Sequence, residues 1–183
     1  MTRVLTMEDK DKVIAYLKQI GFKVNPDEFD NRLLIQKIVY LLKLKGLNIK
    51  YHYGKPYFEK RGVYSKELAD DYCNYKNEFH ELLTDYNLKK EEYETINEFN
   101  SIFEVSIPLL EAGTTYAYFA YEKGMEPSEA YNKVKEIKSK YCTPYEISMG
   151  VSKVKEFLFE PIEEDKELLE REIAPWRVVG IHV

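Results

Sequence analysis

In this 183-residue chain, the side chains that could carry out chemistry are those of histidine, cysteine and the clustered acidic residues. A metal centre or an activated thiol needs several such groups close together, as in a CxxC pair or an HExxH helix. Neither motif occurs, and the chain contains no phosphate-binding loop and no GxSxG nucleophile turn. The three histidines, His52, His80 and His182, are scattered along the chain. The sequence therefore predicts no catalytic residue, no metal site and no cofactor.

Cysteine and histidine come near each other only on one predicted helix. Cys73 and His80 are seven residues apart, which puts them two helical turns apart on the same face. That separation is too large for the imidazole to activate the thiol directly. The acidic clusters at 91–92 and 163–165 fit solvent-facing helix surfaces. An enzyme, such as a hydrolase without a recognised motif, is therefore the least favoured function class.

Positive charge and tyrosine are concentrated in one segment, residues 37–66, which we call the basic segment. It holds eight Lys or Arg residues against one acid, Glu59, so it contributes +7 to a chain of net charge −5 and leaves −12 elsewhere. Lys and Arg pair with anionic groups, while tyrosine rings stack or pack against a partner. The sequence therefore predicts a binding surface here. Its candidate contact residues are Lys50, Tyr51, His52, Tyr53, Lys55, Tyr57, Lys60, Arg61, Tyr64 and Lys66.

Three interpretations of the basic segment stay open. A protein partner is the leading one, and a homodimer is compatible with it. A nucleic acid is the alternative, because a helix followed by a basic hairpin has the outline of a winged helix; the helix at 32–45, however, is too apolar to read bases. An ordinary solvated face is the third. The acidic run at 160–172 could also fold back over the basic segment and screen it.

Composition places the chain among ordinary globular proteins. Hydrophobic residues make up 44% and charged residues 32% of a length that fits one compact domain. The N-terminus turns acidic at Glu8, too early for a signal peptide. The most apolar window, 102–121, is interrupted by acids and a proline, so it predicts a buried helix rather than a membrane span. Two isolated cysteines indicate a reducing compartment, and we expect a cytoplasmic protein.

Helix start and stop signals divide most of the chain into helical segments. Ser65 is expected to cap a helix that runs to about Tyr86, with an apolar stripe facing the core. Thr143 begins another helix with a capping box followed by proline. The small residues at 112, 113, 117 and 120 would permit close packing of the helix that carries them. The acidic run at 160–172 predicts one more, charged helix.

Two segments carry strand signals instead. Residues 47–53 alternate between apolar and polar side chains, and Gly54-Lys55-Pro56 provides a turn, which together predict a β-hairpin over 47–59. Residues 176–183 predict a final strand that pairs with it. The expected fold is a single domain, 1–183, of the mainly α class: a bundle of about six to seven helices with a small antiparallel sheet. Residues 8–159 form its core and 160–183 its acidic helix and terminal strand.

Three motifs carry a resemblance to a known family. They are IQKIVYLL at 35–42, GVYSKEL at 62–68 and LEAGTTY at 110–116. In this order they resemble the YwgA-like and Panacea (SocA-like antitoxin) domains, although Val63 stands where those families usually have proline. The resemblance spans roughly 8–159 and implies a helical, non-enzymatic regulatory protein. Panacea domains are associated with neutralising a toxin by contact, so we expect an antitoxin-like role through the hairpin and the turn at 62–65.

Overall fold

The computed structural model describes residues 3–56, 62–160 and 163–178, and these form nine α-helices and one π-helical turn. The π-helical turn, Tyr118–Glu122, continues α6. The predicted mainly α class is confirmed. In chain order the helices are α1 (Arg3–Ile20), α2 (Phe29–Lys45), α3 (Lys66–Asn74), α4 (Lys76–Glu81), α5 (Lys90–Ile102), α6 (Ile107–Ala117), α7 (Pro127–Lys138), α8 (Pro144–Leu158) and α9 (Glu163–Val178).

The prediction of six to seven helices is too low, mainly because the helix expected from Ser65 to Tyr86 is two helices. Ser65 caps α3 as predicted, its Oγ accepting a hydrogen bond from the Leu68 N–H at 3.3 Å. The backbone then leaves the helical region at Tyr75, with φ −114° and ψ 43°, and α4 follows as a separate helix. The apolar stripe predicted here still packs inward. Its members are all buried or half-buried: Leu68, Tyr72, Tyr75, Phe79, Leu82 and Tyr86.

Helix α2 lies at the centre of the bundle. Residues 34–42 are all buried, and α2 packs against α3, α5, α6 and α8. This agrees with its sequence, which is apolar around most of the helix circumference. Two residues in the buried stretch, Gln36 and Lys37, are polar. Both pair with groups on other parts of the chain, and these pairs position the surface considered below.

Helices α6 and α8 touch at their backbones through Gly113 and Gly150. A Cβ added at Gly113 would lie 2.6 Å from Val154 Cγ2 and 2.8 Å from the Gly150 carbonyl oxygen. A Cβ added at Gly150 would overlap the Leu109 carbonyl oxygen. Only glycine leaves room for so close an approach. The predicted close packing of this helix is confirmed, and its partner is α8.

The predicted β-hairpin over 47–59 is wrong. Residues 47–56 form no strand, and 57–59 lie outside the described residues. The alternation of burial was predicted correctly, because Leu47, Ile49 and Tyr51 are buried and the residues between them are exposed. The segment is therefore covered on one face, but among the described residues no strand pairs with it. It closes instead as a loop, in which the Gly54 N–H donates to the Tyr64 carbonyl at 3.3 Å.

Side chains from neighbouring helices take the place of a partner strand. The Lys50 N–H donates to Asp9 Oδ2 on α1 at 3.2 Å, and the His52 N–H donates to Glu67 Oε2 on α3 at 2.9 Å. Lys43 on α2 donates to the Tyr51 carbonyl. Backbone groups that leave water need hydrogen-bond partners, and over residues 50–52 helix side chains supply three of them. This is the physical reason why an alternating pattern did not produce a hairpin.

The predicted final strand at 176–183 is also wrong for the part of it that the structure describes. Residues 176–178 are the last turn of α9, and 179–183 lie outside the described residues. Over the described ranges, no helix combines the length and the apolar character needed to cross a membrane.

Candidate partner-binding surface

A groove of about 330 Å³ opens between the first two turns of α2 and helix α3, and we call it the α2–α3 groove. The two helices run antiparallel, since Gln36 contacts Ser65 at one end and Asp27 pairs with Lys76 at the other. The residues that α2 contributes recur at helical spacing, so they share one helix face. The groove is lined by Phe29, Arg32, Leu33, Gln36, Tyr64, Ala69, Tyr72 and Cys73.

The mouth of the groove combines an exposed aromatic ring with cationic side chains. Phe29 is 50% exposed, and the Arg32 guanidinium lies 5.7 Å from the centre of its ring. Arg32 also donates to the Pro26 and Asp27 carbonyls at 2.9 and 3.0 Å, which fixes its position. Lys66 is exposed and lies one helical turn before Ala69, on the groove side of α3. A ligand here would meet apolar surface beside the Arg32 guanidinium.

The turn at 62–65 forms one end of the groove and is held by the side chain of Gln36. Gln36 Nε2 donates to the Ser65 carbonyl at 2.9 Å, and the Ser65 N–H donates to Gln36 Oε1 at 2.8 Å. One amide group thus satisfies both peptide groups of Ser65. Tyr53 donates its hydroxyl to the Gln36 carbonyl at 3.0 Å, which ties the preceding loop to the same place. The turn is fixed in this way although it contains no proline.

Two buried lysines and one half-buried glutamate lie behind the turn, and we call them the charged triad: Lys37, Glu111 and Lys138. Glu111 accepts from Lys37 Nζ at 2.8 Å and also from Lys138 Nζ. The two lysine side chains are 0% and 3% exposed. Gly62 has a φ of +63°, and a Cβ added to it would lie 3.4 Å from Lys37 Nζ. The triad therefore joins α2, α6 and α7 beneath the turn.

Burial and charge act in opposite directions on the pKa values in the triad. Burial disfavours the charged form of Lys37 and lowers its pKa, although Glu111 opposes the change. Burial alone would raise the pKa of Glu111, but the two lysines more than offset it and hold that pKa below its ordinary value. Glu111 is therefore an ionised carboxylate. The triad is a structural ion cluster, and its Lys37 side chain lies inside the protein rather than on its surface.

The ten contact residues predicted from the sequence divide into four groups. Lys50, His52, Lys55 and Lys66 are exposed, and Tyr53 and Tyr64 are half-buried. Tyr51 is only 1% exposed and donates its hydroxyl to Asp71 at 2.5 Å, so it offers no surface to a partner. Tyr57, Lys60 and Arg61 lie outside the described residues. Of the seven predicted residues that the structure describes, only Tyr64 also lines the groove.

Much of the positive charge in the basic segment has an internal use. Lys37 belongs to the charged triad and Lys43 bonds the Tyr51 carbonyl. Lys45 bonds the Phe157 carbonyl at 2.5 Å and Glu98 at 3.1 Å. The charge concentration in the sequence therefore reflects packing as well as surface. The sequence reasoning missed Phe29 and Cys73, although the 29, 32, 33, 36 spacing was a signal that could have revealed the groove face on α2.

A larger cleft, of about 720 Å³, lies between α1 and residues 84–88, and two of its polar side chains are bonded within the protein. Thr84 donates to the Asp11 carbonyl at 3.1 Å, and Tyr86 donates to Glu92 at 3.1 Å. Among the described residues, no group of three His, Cys, Asp or Glu side chains could hold a metal ion. We take the α2–α3 groove as the candidate binding site because its lining joins the exposed Phe29 ring to Tyr64 of the turn at 62–65, where the sequence predicts contacts.

Three buried tyrosines donate hydrogen bonds to acids, and they should resist ionisation at alkaline pH. Tyr16, Tyr40 and Tyr51 donate to carboxylates at 2.5, 2.6 and 2.5 Å, and burial followed by these bonds raises the pKa of each far above its ordinary value of 10.0. The native state keeps these protons while the unfolded state loses them, so stability is present below pH 10 and is lost as the pH rises above it. In a titration followed by tyrosinate absorbance and circular dichroism, we expect these tyrosines to ionise only as helicity is lost. Full ionisation of all tyrosines with helicity intact would contradict this.

Comparison with known proteins gives no further assignment. No protein-family model matches the chain, and no curated protein or solved structure matches it at a significant level. The resemblance to the YwgA-like and Panacea domains therefore stays a prediction.

Proposed function

We propose that this protein is a regulatory, antitoxin-like binding protein that contacts a protein partner in the α2–α3 groove. The observation that supports the proposal is the composition of the groove: an exposed Phe29 ring, an arginine held beside it, and an apolar floor that includes Leu33 and Tyr72. The centres of protein interfaces are enriched in aromatic residues and arginine, which are also the commonest hot spots. The protein acts by binding and not by catalysis, and it does so without a cofactor.

A cytoplasmic location is part of the proposal. The structure contains two free cysteines, exposed Cys73 and buried Cys142. An exposed free thiol that lines a groove fits a reducing compartment, where it stays unpaired. A protein partner can then contact Cys73 without competition from disulfide exchange.

The nucleic-acid alternative has less support than the protein partner. Three of the basic segment's lysines, Lys37, Lys43 and Lys45, bond groups within the protein, and Tyr51 is buried. Phosphate-backbone binding needs several exposed cations, and each cation used internally reduces the number of counterions that binding could release. The exposed lysines that remain are better suited to the edge of a protein interface.

A matched pair of substitutions tests the proposed function. Phe29→Asp places a charge at the mouth of the groove, whereas Tyr145→Asp makes the same kind of change at a 71% exposed position on α8. With extracts of the source cells, we expect the wild-type protein and Tyr145→Asp to retain a common partner protein. Phe29→Asp should retain at least about tenfold less of it, as expected for an aromatic hot spot. Circular dichroism establishes that both variants are folded.

Two outcomes would contradict the proposed function. One is equal retention of the partner by both variants, which would move the interface away from the groove. The other is recovery of nucleic acid instead of protein, with binding that weakens steeply as salt is raised. The second outcome would favour the nucleic-acid alternative directly.

A further inference from the structure

Arg32 is the only charged side chain among the described residues that line the α2–α3 groove, and its guanidinium is only partly used within the protein. Its Nη1 group donates to the Pro26 and Asp27 carbonyls at 2.9 and 3.0 Å. A guanidinium has five N–H donors. Among the described residues, the donors on Nε and Nη2 have no hydrogen-bond partner, and no acid forms an ion pair with Arg32. The groove therefore holds a fixed cation with unused donors.

Tyr72 supplies a second donor in the groove lining, and it is only 3% exposed. Gln36 Nε2 donates to its hydroxyl oxygen at 3.5 Å, but the hydroxyl proton itself has no acceptor among the described residues. Burial raises the pKa of Tyr72, while the positive charge of Arg32 acts to lower it, so the hydroxyl lies within electrostatic reach of the guanidinium. Buried hydroxyl groups normally find a hydrogen-bond acceptor, and a ligand in the groove can supply one.

The acids on the two helices leave these donors unused. None of them lines the groove: Asp27, Glu28, Asp30, Glu67, Asp70 and Asp71. Asp27, the acid next to the Arg32 contact, pairs instead with Lys76. The ranges 27–36 and 65–76 together contain six acids and three cations, so an acidic segment would be repelled here. A single carboxylate placed at Arg32 is what the charges of the groove admit.

The surroundings of these donors are apolar and small. The Arg32 guanidinium lies 5.7 Å from the centre of the Phe29 ring, and Leu33 and Ala69 complete the apolar lining. The groove volume of about 330 Å³ is at the lower end of the range for ligand pockets, so it accommodates one or two side chains rather than a whole segment. An apolar group that carries a carboxylate matches both parts of this lining.

We propose that the α2–α3 groove recognises a side-chain carboxylate of the partner protein, an aspartate or glutamate that lies beside an apolar residue. The carboxylate accepts hydrogen bonds from the Nε and Nη2 donors of Arg32 and from the Tyr72 hydroxyl, and the apolar residue packs against Phe29 and Leu33. Arginine suits this role because its planar fork donates two parallel hydrogen bonds to one carboxylate. This inference rests on the proposed function, since it names the group that the partner presents to the groove.

Two small probes that differ in one group test the inference. 3-Phenylpropionate carries an aromatic ring and a carboxylate, and 3-phenylpropanamide is its neutral amide. In NMR titrations of the full-length protein, the backbone amide signals of Ala69 and Cys73 report on the groove, because both residues line it. We expect the wild-type protein to bind the carboxylate about tenfold more tightly than the amide, since hydrogen bonds between charged groups are the stronger ones.

Substitutions at the two donors assign the preference to them. Arg32→Gln should bind both probes with the affinity that the wild-type protein has for the amide, and the unchanged amide affinity shows that the groove is intact. Tyr72→Phe removes only the hydroxyl and should reduce the preference for the carboxylate by a few-fold. Lys90→Gln is the matched control, because it removes a cation whose side chain is 87% exposed on α5, and it should keep the full preference.

Three results would overturn the inference: equal affinities of the two probes for the wild-type protein, binding of neither probe at millimolar concentration, or a preference for the carboxylate that survives Arg32→Gln. Failure of the proposed function is distinguishable, because it is judged by retention of the partner protein. If Phe29→Asp loses the partner but the wild-type protein does not prefer the carboxylate, only the inference fails. If the carboxylate is preferred but Phe29→Asp and Tyr145→Asp retain the partner equally, the proposed function fails.

Discussion

Glu111→Gln is expected to lower the free energy of unfolding by about 3–5 kcal/mol, the range seen when one partner of a buried ion pair is removed. The substitution keeps the shape of the side chain but leaves Lys37 and Lys138 without the carboxylate that both of them bond. Two buried ammonium groups would then face each other across a neutral amide. Urea denaturation measures the change.

An exposed ion pair provides the control for Glu111→Gln. Lys133 and Glu136 lie 2.9 Å apart, but their side chains are 46% and 69% exposed. Solvent screens such a pair, so Glu136→Gln should change stability by less than about 1 kcal/mol. If the two glutamine variants lose the same amount of stability, the charged triad has no special structural role.

The same variant has a signature in acid. The pKa of Glu111 in the native state lies below its ordinary value of 4.5, so its contribution to stability is present above pH 4.5 and is lost as the pH falls through the native value. Wild-type protein should therefore lose more stability than Glu111→Gln when the pH is lowered from neutral to below 4.5. Parallel losses in the two proteins would mean that Glu111 does not titrate differently in the native and unfolded states.

Gly150→Ala is expected to lower the free energy of unfolding by about 1–3 kcal/mol, as overpacking of a tight core does. The added methyl group would overlap the Leu109 carbonyl oxygen and lie 3.1 Å from Ala112 Cβ. Backbone atoms cannot rotate away as a side-chain end can, so α6 and α8 must separate. For a chain of this length we expect the melting temperature to fall by about 2–4 °C for each kcal/mol.

Gly54→Ala is the matched control for Gly150→Ala. A Cβ added at Gly54 meets no atom within 4 Å, and its φ lies outside the left-handed region that favours glycine. The loss of glycine entropy in the unfolded chain should make this variant neutral or slightly stabilising. Comparable losses at both positions would show that the α6–α8 contact adjusts more easily than its geometry indicates.

Local sequence signals predicted the helices well, because caps and stop signals act over a few residues. Ser65 and Thr143 cap the helices that they were expected to cap, and Thr143 forms its capping box with Glu146. The break at Tyr75 was not foreseen, since the apolar stripe continues across it. A stripe shows which face is buried, not whether one helix or two present it.

The loop and the site depended on contacts that no local pattern contains. The alternating burial at 47–53 was correct, but the groups that bond its backbone come from α1, α2 and α3. Lys37 was counted as part of a positive surface because its partner, Glu111, is distant in the sequence. The groove likewise arises only when α2 and α3 lie antiparallel. The sequence therefore pointed to the turn at 62–65, which borders the groove, but it counted internally bonded lysines as surface charge.

Alkylation of Cys73 is the measurement that tests the proposed groove most directly. Cys73 lines the groove and is exposed. Cys142 is buried, and its burial raises the pKa of that thiol. A maleimide therefore reports on Cys73. When the partner protein recovered from the extract is added, we predict that the alkylation rate of Cys73 falls in proportion to the fraction of this protein that is bound, and is lowest at saturation. An unchanged rate at saturation would contradict a partner-binding role for the α2–α3 groove.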